Sequence, residues 1–460
     1  QRVTLAGTLG NNLSGSIYIL DEPSVGLHPV DTERLMNILR FLRQLGNTVV
    51  VVEHEEEIIR SADTVIDLGP GAGTGGGKVM YQGDLKGLMK STNSLTAQYL
   101  REEKCIKLPP ARRMWKKSIS IKGASENNLR KIDVDIPLGV MTVVCGVSGS
   151  GKSSLVIDVL SKGLYNALGI STIKPGSFSE ITGDIEAISG VEVVDQSPIG
   201  KSSRSNPVTY LKAFDEIREL YSRQRESKIH GYKPSFFSFN VDGGRCDACQ
   251  GEGETIVEMQ FMADVRLKCD VCKGQRYKDE ILDVKYRGKN IYDLLQMTVD
   301  EAMDFFKSDG AEKKSLQKRI CQKLQPLLEV GLGYLPMGQA SSTLSGGEAQ
   351  RIKLASFLSA NVPAGANKMM FIFDEPTTGL HFHDIGKLMD SFNALIGRGH
   401  SVIIIEHNVE VIKCADWVLE LGPGGGRNGG ELLYAGRPED LLHCPDSRTA
   451  EFLHSKLPVD

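Results

Sequence analysis

The sequence predicts an α/β fold of the P-loop nucleotide-binding type. Residues 146–153 read GVSGSGKS and fit the G-x-x-x-x-G-K-[ST] pattern of a phosphate-binding loop. The loop follows the apolar run GVMTVVC, typical of a buried strand, and precedes SSLVIDVLSKGLY, typical of a helix. A second apolar run, MMFIFDE at 369–375, ends in the carboxylate pair expected of the acidic strand in such a fold. Strands that alternate with helices in this way indicate an α/β core.

Length and composition describe an ordinary soluble chain. Its 460 residues suffice for two or three domains, and 40% of them are hydrophobic and 24% charged. The formal net charge of −4 gives no general attraction to nucleic acid, so such binding would need a local basic patch. No apolar run is long enough for a membrane helix and no signal peptide opens the chain, so we expect a cytoplasmic protein.

An internal repeat organises the chain. LDEPSVGLHPVD at 20–31 returns as FDEPTTGLHFHD at 373–384, and VVVVEHEEEIIRSADTVIDLGPGAG at 49–73 returns as VIIIEHNVEVIKCADWVLELGPGGG at 402–426. Asp21 and Asp374 are 353 positions apart, and so are His54 and His407. Because more than sixty residues align without a net gap, the pattern indicates a duplication.

The two copies differ in what precedes them. Only the second has an upstream P-loop, and the first begins at QRVTLA, which matches QRIKLA from Gln350. Because the first residue is Gln, we also expect that a segment preceding it was removed. We therefore expect the tail of one ATPase unit followed by the whole of another. On this interpretation neither composite ATP site is complete within the chain, so ATP binds at the intact P-loop while hydrolysis is weak.

Backbone N–H groups of the P-loop are expected to surround phosphates at a helix N-terminus, where the helix dipole favours negative charge. Lys152 would reach the β- and γ-phosphates, and Ser153 would hold Mg²⁺. The candidate nucleotide-binding residues here are Gly146, Ser148, Gly149, Ser150, Gly151, Lys152, Ser153 and Ser154.

Carboxylates and a histidine complete the predicted site. Asp374 would bind the Mg²⁺ shell, Glu375 would polarise the attacking water, and His407 would contact the γ-phosphate from the end of a neighbouring strand. The first copy repeats these three residues as Asp21, Glu22 and His54.

A signature segment narrows the class. LSGGE at 344–348 supplies Ser345, Gly346, Gly347 and Glu348, residue types that suit a helix N-terminus facing a phosphate. Together with the P-loop, the acidic strand and the histidine, it resembles the ABC ATPases, in which the signature of one unit completes the ATP site of its partner. Gln196, after the apolar run VEVVD, resembles their Q-loop, although an isolated Gln after a strand is common.

Four cysteines predict a zinc site. Cys246 and Cys249, then Cys269 and Cys272 after nineteen intervening residues, form two C-x-x-C pairs at a spacing typical of tetrahedral zinc. The segment between them reads as a hairpin, and four thiolates leave no open position for catalysis, so the site is expected to be structural. A redox pair, unliganded core cysteines and the repeat unit of J-type chaperones are the alternatives.

Basic residues interleaved with aromatic ones flank the cysteines and could grip phosphates and stack on bases. The alternative is a solvated basic face over core phenylalanines. The residues are Lys201, Arg204, Lys212, Arg223, Arg225, Lys228, His230, Lys233, Phe236, Phe237, Phe239, Lys268, Lys273, Arg276 and Lys278.

These motifs together resemble one family, the A subunit of the UvrABC excinuclease, along essentially the whole chain. The segments that carry the resemblance are VDQSPIGKSSRSNPVTY, FSFNVDGGRCDACQGEGE, LSGGEAQRIKLA and DEPTTGLHFHD, and His28 and His381 stand where ABC transporters usually carry an Asp. The resemblance is to the C-terminal half of that subunit.

The resemblance implies a DNA-damage recognition ATPase of nucleotide excision repair. It would be a homodimer that uses ATP, Mg²⁺ and Zn²⁺, binds duplex DNA with bulky lesions and loads the B subunit, whose binding domain lies in the other half. A paralogue that serves drug self-resistance and a transport ATPase subunit are the alternative functions. The expected domains are 1–100 (end of the first ATPase), 101–118 (linker), 119–200 and 325–460 (second ATPase), and 201–324 (inserted DNA-binding and zinc module).

Overall fold

A computed structural model describes residues 14–200, 204–257, 259, 265–307, 315–359 and 368–457. The chain divides into two compact units, one formed by residues 1–195 with 362–460 and the other by residues 196–361. No helix among the described residues is long and apolar enough to cross a membrane.

Fifteen strands are present in the described ranges. In chain order they are β1 (Ile17–Asp21), β2 (Thr48–Val52), β3 (Val65–Gly69), β4 (Lys78–Gly83), β5 (Ser118–Ala124), β6 (Ile132–Pro137), β7 (Met141–Cys145), β8 (Glu180–Gly183), β9 (Gly190–Val194), β10 (Glu254–Val257), β11 (Val265–Lys268), β12 (Met369–Asp374), β13 (Ser401–Ile405), β14 (Trp417–Gly422) and β15 (Glu431–Gly436).

A π-helical segment, Ser154–Ser161, follows the P-loop. The α-helices of the described residues are α1 (Pro29–Gln44), α2 (Glu56–Ser61), α3 (Leu85–Leu88), α4 (Leu95–Leu100), α5 (Lys162–Ala167), α6 (Pro207–Tyr210), α7 (Ala213–Ser222), α8 (Arg225–His230), α9 (Asp279–Leu282), α10 (Ile291–Gln296), α11 (Val299–Lys307), α12 (Leu316–Glu329), α13 (Gly346–Ser359), α14 (Phe382–Gly397), α15 (Val409–Ile412), α16 (Pro438–Leu441) and α17 (Ala450–Leu453).

A six-stranded sheet in the order β15-β14-β7-β13-β12-β9 forms the centre of the second copy. All neighbouring pairs are parallel except β14 and β15. The side chains of β7 and β13 are buried throughout, as expected for central strands of a parallel sheet covered on both faces. The predicted α/β class is therefore confirmed.

Among the described residues, the first copy repeats two strand pairs of this sheet, the equivalents of β12–β13 and β14–β15. β1 pairs with β2 in parallel, and β3 pairs with β4 antiparallel. The sequence pattern of the first copy predicts strands near 16–20 and 48–52 around a helix at 31–45, and β1, β2 and α1 agree with this prediction within two residues. In the second copy β7 lies between β13 and β14, but among the described residues no strand joins β2 to β3.

One face of the first-copy strands is apolar and exposed. Ile17 is 69% exposed and Ile19 74%, whereas Met370 and Ile372, 353 positions further on, are 0% exposed. Val50, Val52, Ile66 and Leu68 are exposed in the same way, and their counterparts 353 positions on lie in the core. In the second copy this core includes residues of β5, β6 and the π-helical segment, which cover the corresponding face.

The segment expected to be a basic linker, 101–118, is bound to the second copy. The Arg112 guanidinium donates to Glu439 Oε1 at 2.9 Å and to the carbonyls of Ala415 and Lys413 at 2.9 and 2.7 Å. Arg113 contacts the buried carboxylate of Asp416 through its backbone N–H and its guanidinium. Arg112 and Arg113 therefore serve packing within one compact unit.

We expect Arg112→Ala to lower the free energy of unfolding by about 3 kcal/mol, because the side chain is only 9% exposed and its loss leaves a carboxylate and two carbonyls without donors. Denaturant midpoints measure the change. Arg34→Ala is the matched control, since that side chain is 76% exposed with one pair to Asp31, and should cost less than about 0.5 kcal/mol. Equal midpoint shifts for the two variants would contradict the assignment.

The unit formed by 196–361 is mainly helical. α12 packs against α7, α11 and α13, and the hairpin β10–β11 lies between the two cysteine pairs. Phe237 and Phe239 are 0% exposed and pack on Tyr221 and Phe214. Because α12 packs on α13, residues 325–361 lie in this unit, although the sequence placed 325–460 in the second ATPase domain.

Candidate functional site

The P-loop connects β7 to the π-helical segment. Gly146, Gly149 and Gly151 have φ angles of +126°, +75° and +107°, and a Cβ atom on Gly146 would lie 2.0 Å from the Leu421 carbonyl oxygen. Glycine is therefore required for the loop to close. Lys152 Nζ donates to the carbonyls of Gly146 and Val147 at 2.8 and 3.0 Å. Ser148, Ser150, Ser153 and Ser154 complete the segment.

Burial and neighbouring acidic groups act in opposite directions on the pKa of Lys152. Burial lowers the pKa of its ammonium group, and the nearby Cys145, Glu375, Glu406 and Asp374 act in the opposite direction. A bound phosphate would add negative charge beside this ammonium and favour its protonated form.

The glycine-rich segment after β14 supports the P-loop from outside. Gly426 N–H donates to the Gly149 carbonyl at 2.9 Å, and Gly430 N–H donates to the Ser150 carbonyl at 3.0 Å. Asn128 Nδ2 bridges the Gly149 and Gly426 carbonyls at 2.9 and 3.0 Å. The sequence LGPGGGRNGG at 421–430 is typical of a tight turn after a strand, and in the structure this turn holds the backbone of the P-loop.

Asp374 ends β12, and Glu375 follows it with a φ of +46°. Burial, together with the nearby carboxylates of Glu375, Asp195 and Glu406, raises the pKa of Asp374 to about 6, while Lys152 acts in the opposite direction. This excess of negative charge is what a divalent cation would relieve, and hydroxyl and carboxylate oxygens are the ligands Mg²⁺ prefers. Asp374 and Ser153 therefore fit a magnesium ion chemically.

Glu406, which sequence reasoning missed, holds the loop that carries His407. Its carboxylate is fully buried and accepts from the backbone N–H groups of His407 and Asn408 at 2.8 and 3.0 Å. Its other oxygen accepts from Thr377 N–H at 3.1 Å and from the Thr377 hydroxyl. It thus joins the turn after the acidic strand to the histidine loop. Glu53 occupies the equivalent position of the first copy, so the repeat in the sequence could have identified Glu406.

Glu406→Gln should lower the free energy of unfolding by about 2–4 kcal/mol, because one side of the amide would place N–H groups against N–H donors. Thermal or denaturant midpoints measure this. Glu53→Gln is the control, since Glu53 is only half-buried and accepts from Ser24 and His54 N–H at 2.8 and 3.1 Å. A larger loss at Glu53 than at Glu406 would contradict the assignment.

The first-copy counterparts lie opposite this site. Asp21 ends β1, Glu22 has a φ of +44°, and His54 Nε2 lies 3.3 Å from Glu22 Oε1. A Cβ atom on Gly26 would lie 3.1 Å from Glu375 Oε2, and one on Gly379 would lie 3.1 Å from Glu22 Oε1. Each copy therefore places its turn against the acidic residue of the other.

In the other unit, the signature segment begins α13. Ser345 and Glu348 form a reciprocal cap, in which Ser345 N–H donates to Glu348 Oε2 at 2.9 Å and Glu348 N–H to Ser345 Oγ at 3.2 Å. Gly346 and Gly347 form the first turn. A Cβ atom on Gly346 would lie 2.9 Å from the Gln196 Cβ atom, so the structure brings Gln196 to the start of the signature helix.

The four sulfur atoms of Cys246, Cys249, Cys269 and Cys272 all lie within 4.8 Å of one another and are buried. Gly251 and Gly274 have φ angles of +83° and +88°, as the turns after the two C-x-x-C pairs require. Backbone N–H groups of Cys272 and Val271 lower the pKa of Cys269 to about 7. The ligand set and its closeness fit a tetrahedral zinc ion.

The basic and aromatic residues near the cysteines divide into two groups. Phe237 and Phe239 are core residues, which contradicts a stacking role for them. Arg204, Arg223 and Lys278 are paired with Glu252, Glu219 and Asp247, and the half-buried Arg276 lies over the Phe239 ring at 5.4 Å. Lys201 lies outside the described residues. The remaining exposed basic residues are Lys212, Arg225, Lys228, Lys233, Lys268 and Lys273.

An aromatic stack remains at the surface. The rings of His230 and Tyr232 are 5.4 Å apart, and those of Tyr232 and Phe236 are 5.2 Å apart. Exposed Lys228 and Lys233 flank them in the chain. We name His230, Tyr232 and Phe236 the ring stack.

The fold and these sites define the P-loop fold of ABC-type proteins with an inserted four-cysteine module. No protein-family model matches the sequence. UvrABC system protein A of Clostridium perfringens is 50% identical over 458 residues, which cover 99% of this chain and 48% of that protein. The protein of the same name from Staphylococcus aureus is 49% identical over 461 residues, covering 100% and 47%.

A solved structure, UvrA2 from Deinococcus radiodurans, matches with a TM-score of 0.90 and 45% identity over 99% of this chain and 54% of that one. The resemblance drawn from the motifs is thereby confirmed: the chain is homologous over its whole length to UvrABC system protein A. It spans about half the length of these relatives.

Proposed function

We propose that this chain is part of a DNA-damage recognition ATPase of nucleotide excision repair, acting in the cytoplasm where bacterial DNA lies. The observation that carries the proposal is the combination of a P-loop ATPase core with a four-cysteine module whose unit presents exposed basic residues and a ring stack. The similarity to UvrABC system protein A supports it.

ATP is expected at the P-loop. Backbone N–H groups of residues 146–154 would surround the phosphates, with Lys152 at the β- and γ-phosphates. Mg²⁺, held by Ser153 and Asp374, would neutralise charge on the phosphates. Glu375 would orient the attacking water, and His407, held by Glu406, would contact the γ-phosphate.

Asp21, Glu22 and His54 would serve a second nucleotide site in the same roles. Ser345, Gly346, Gly347 and Glu348 would present the start of α13 to a phosphate, and Gln196 beside them would sense the nucleotide. In this proposal two such chains form a homodimer, and the B subunit of the excinuclease is a further partner.

DNA would lie against the surface of 196–361. Its exposed lysines and arginines would contact backbone phosphates, and the ring stack would pack on bases that a bulky lesion has unstacked. The zinc ion would hold the two C-x-x-C turns together and so shape this surface.

Duplex binding by the zinc-loaded chain tests the proposal, with matched probes that carry or lack one bulky adduct, at two salt concentrations. We expect preference for the adduct, and a weakening with salt that is similar for both probes because phosphate contacts dominate it. Tyr232→Ala should reduce that preference by roughly five-fold or more, at about 1–3 kcal/mol per stacked base.

Variants separate the contributions. Lys228→Ala with Lys233→Ala should weaken binding to both probes equally, whereas the exposed control pair Lys86→Ala with Lys90→Ala should change neither. Binding without preference for the adduct would reduce the proposal to a general DNA grip, and no binding at low salt would refute it.

A further inference from the structure

A histidine at the start of α1 joins the two copies. His28 is 1% exposed, and its Nε2 atom lies 3.3 Å from the hydroxyl of Thr449. That hydroxyl donates to Glu420 Oε1 at 2.6 Å, and Glu420 is 1% exposed. The His28 ring also packs edge-on against Phe452 at 6.0 Å. A residue of the first copy is therefore held by a hydroxyl and a carboxylate of the second.

The repeat forms the same contact in the opposite direction. His381, 353 positions after His28, lies at the start of α14 with Nε2 3.2 Å from the hydroxyl of Thr96. The Thr96 hydroxyl donates to Asp67 Oδ1 at 2.9 Å. Thr96 and Asp67 occupy the positions of Thr449 and Glu420 in the repeat. We call each set of His, Thr and carboxylate a latch.

The hydrogen bonds fix the histidine tautomer. Nδ1 of His28 accepts from Val30 N–H at 3.4 Å, and Nδ1 of His381 accepts from His383 N–H at 3.3 Å, so each caps its own helix. The threonine has one hydroxyl hydrogen, which goes to the carboxylate, so its oxygen must accept from Nε2–H. Each latch therefore needs a neutral imidazole that carries its proton on Nε2.

His28 closes the turn that reaches the nucleotide site of the second copy. Within that turn, the Gly26 carbonyl accepts from the P-loop hydroxyl of Ser148 at 2.9 Å. Gly26 also lies against the carboxylate of Glu375. His381 follows the equivalent turn of the second copy, and this turn places Gly379 against Glu22.

We propose that His28 is a positioning residue, which holds the turn at 24–27 against the P-loop and Glu375, and that His381 does the same for Glu22. This inference rests on the proposed ATP site. It adds to that site the histidine that holds a turn of one copy against the acidic residue of the other. Glu375 is expected to lie beside the γ-phosphate, which ADP lacks. Loss of His28 should therefore weaken the binding of ATP more than the binding of ADP.

The latch also predicts sensitivity to acid. A second proton on His28 would occupy Nδ1 and remove the helix cap. Burial lowers the pKa of His28 to about 3, with Lys152 and His407 acting in the same direction. Of the groups beyond these two, Glu420 faces the ring through Thr449, whose hydroxyl also lies 3.8 Å from Cys145 Sγ.

The sign follows from linkage. The unfolded chain takes up a proton near pH 6.5 and the folded chain does not until about pH 3, so the stabilisation is complete above pH 6.5 and is lost as pH falls toward 3. At about pH 5 this one histidine should shift the folding equilibrium roughly thirty-fold toward the unfolded state.

The experiment compares His28→Asn with His381→Asn. Asparagine keeps a helix-capping side chain and loses the contact to threonine, so both variants remove the same contact. Fluorescent ATP and ADP analogues give two dissociation constants per variant, and stability is followed from pH 7 to 5. Thr449→Val and Thr96→Val form a second pair that leaves the histidines in place.

We expect both histidine variants to be less stable than the wild type at neutral pH. Their stability should also fall less than that of the wild type between pH 7 and pH 5. The turn that His28 holds contacts Ser148 of the P-loop, whereas the turn that His381 holds contacts Glu22. Only His28→Asn and Thr449→Val should therefore weaken ATP binding at this P-loop, by roughly five-fold, a loss typical of one hydrogen bond, with ADP affinity unchanged. Equal nucleotide effects in both pairs, or none, would overturn the positioning role, and an unchanged acid dependence would overturn the latch. If the Lys152→Ala variant binds the nucleotides as tightly as the wild type does, the ATP site itself is refuted instead.

Discussion

Cys269→Ser combined with Cys272→Ser is expected to release the zinc ion and unfold the module around β10 and β11. Four buried thiolates hold the two turns together, and structural zinc sites of this kind contribute about 10–16 kcal/mol of apparent binding free energy, which is also folding free energy. Zinc content should fall from about one ion per chain to none, and amides of 244–257 and 265–280 should lose protection from hydrogen exchange.

The control is Cys105→Ser combined with Cys321→Ser, two cysteines outside the cluster. It should keep its zinc and its protection. The effect of ATP on the thermal midpoint should survive in the zinc-free variant, because the P-loop lies in the other compact unit. Retained zinc in the variant, or protected amides without zinc, would contradict the four-thiolate site.

Lys152→Ala should abolish ATP binding. Lys152 is the only P-loop side chain with a positive charge, and two charge-assisted hydrogen bonds to phosphate correspond to about 3 kcal/mol or more, over a hundred-fold in affinity. The thermal midpoint without nucleotide should change little, because burial lowers the pKa of this ammonium and so makes its charge costly, and this cost offsets the hydrogen bonds to the Gly146 and Val147 carbonyls that the variant loses. Titration with a fluorescent ATP analogue measures the first effect, and calorimetry the second.

Lys162→Ala is the matched control. Lys162 starts α5 and pairs with Asp158 at 2.7 Å, with a third of each side chain exposed. Its removal should cost under about 1 kcal/mol and leave ATP affinity unchanged. If ATP binds equally well to the Lys152 and Lys162 variants, the nucleotide does not bind where the P-loop predicts.

Local patterns account for what the sequence could predict. The P-loop, β7, β12 and the two C-x-x-C turns depend on residues that are close together in the chain, and the fold class, β1 and α1 are confirmed. Glu406 was missed because its partner Thr377 is 29 positions away, and Arg112 because its partner Glu439 is 327 positions away. Hydrophobic periodicity in the sequence does not indicate contacts between residues so far apart in the chain.

The repeat was a further signal that local patterns do not use. Since Glu53 and Glu406, His28 and His381, and Thr96 and Thr449 are all 353 positions apart, a comparison of the two copies selects the polar residues that both retain. For the phenylalanines the sequence left two interpretations open, base stacking and a place in the core. Composition cannot tell a base-stacking ring from a core ring, and burial decides that Phe237 and Phe239 are core residues.

The exposed apolar face of β1 and β2 has a practical consequence for solubility. Among the described residues β1 and β2 pair only with each other, and Ile17 and Ile19 are exposed, so other chains could add to this small sheet strand by strand. The protein should therefore form concentration-dependent oligomers that bind a hydrophobic dye. A lysine in place of Ile19 would act as a gatekeeper, and light scattering should then show a slower onset of aggregation.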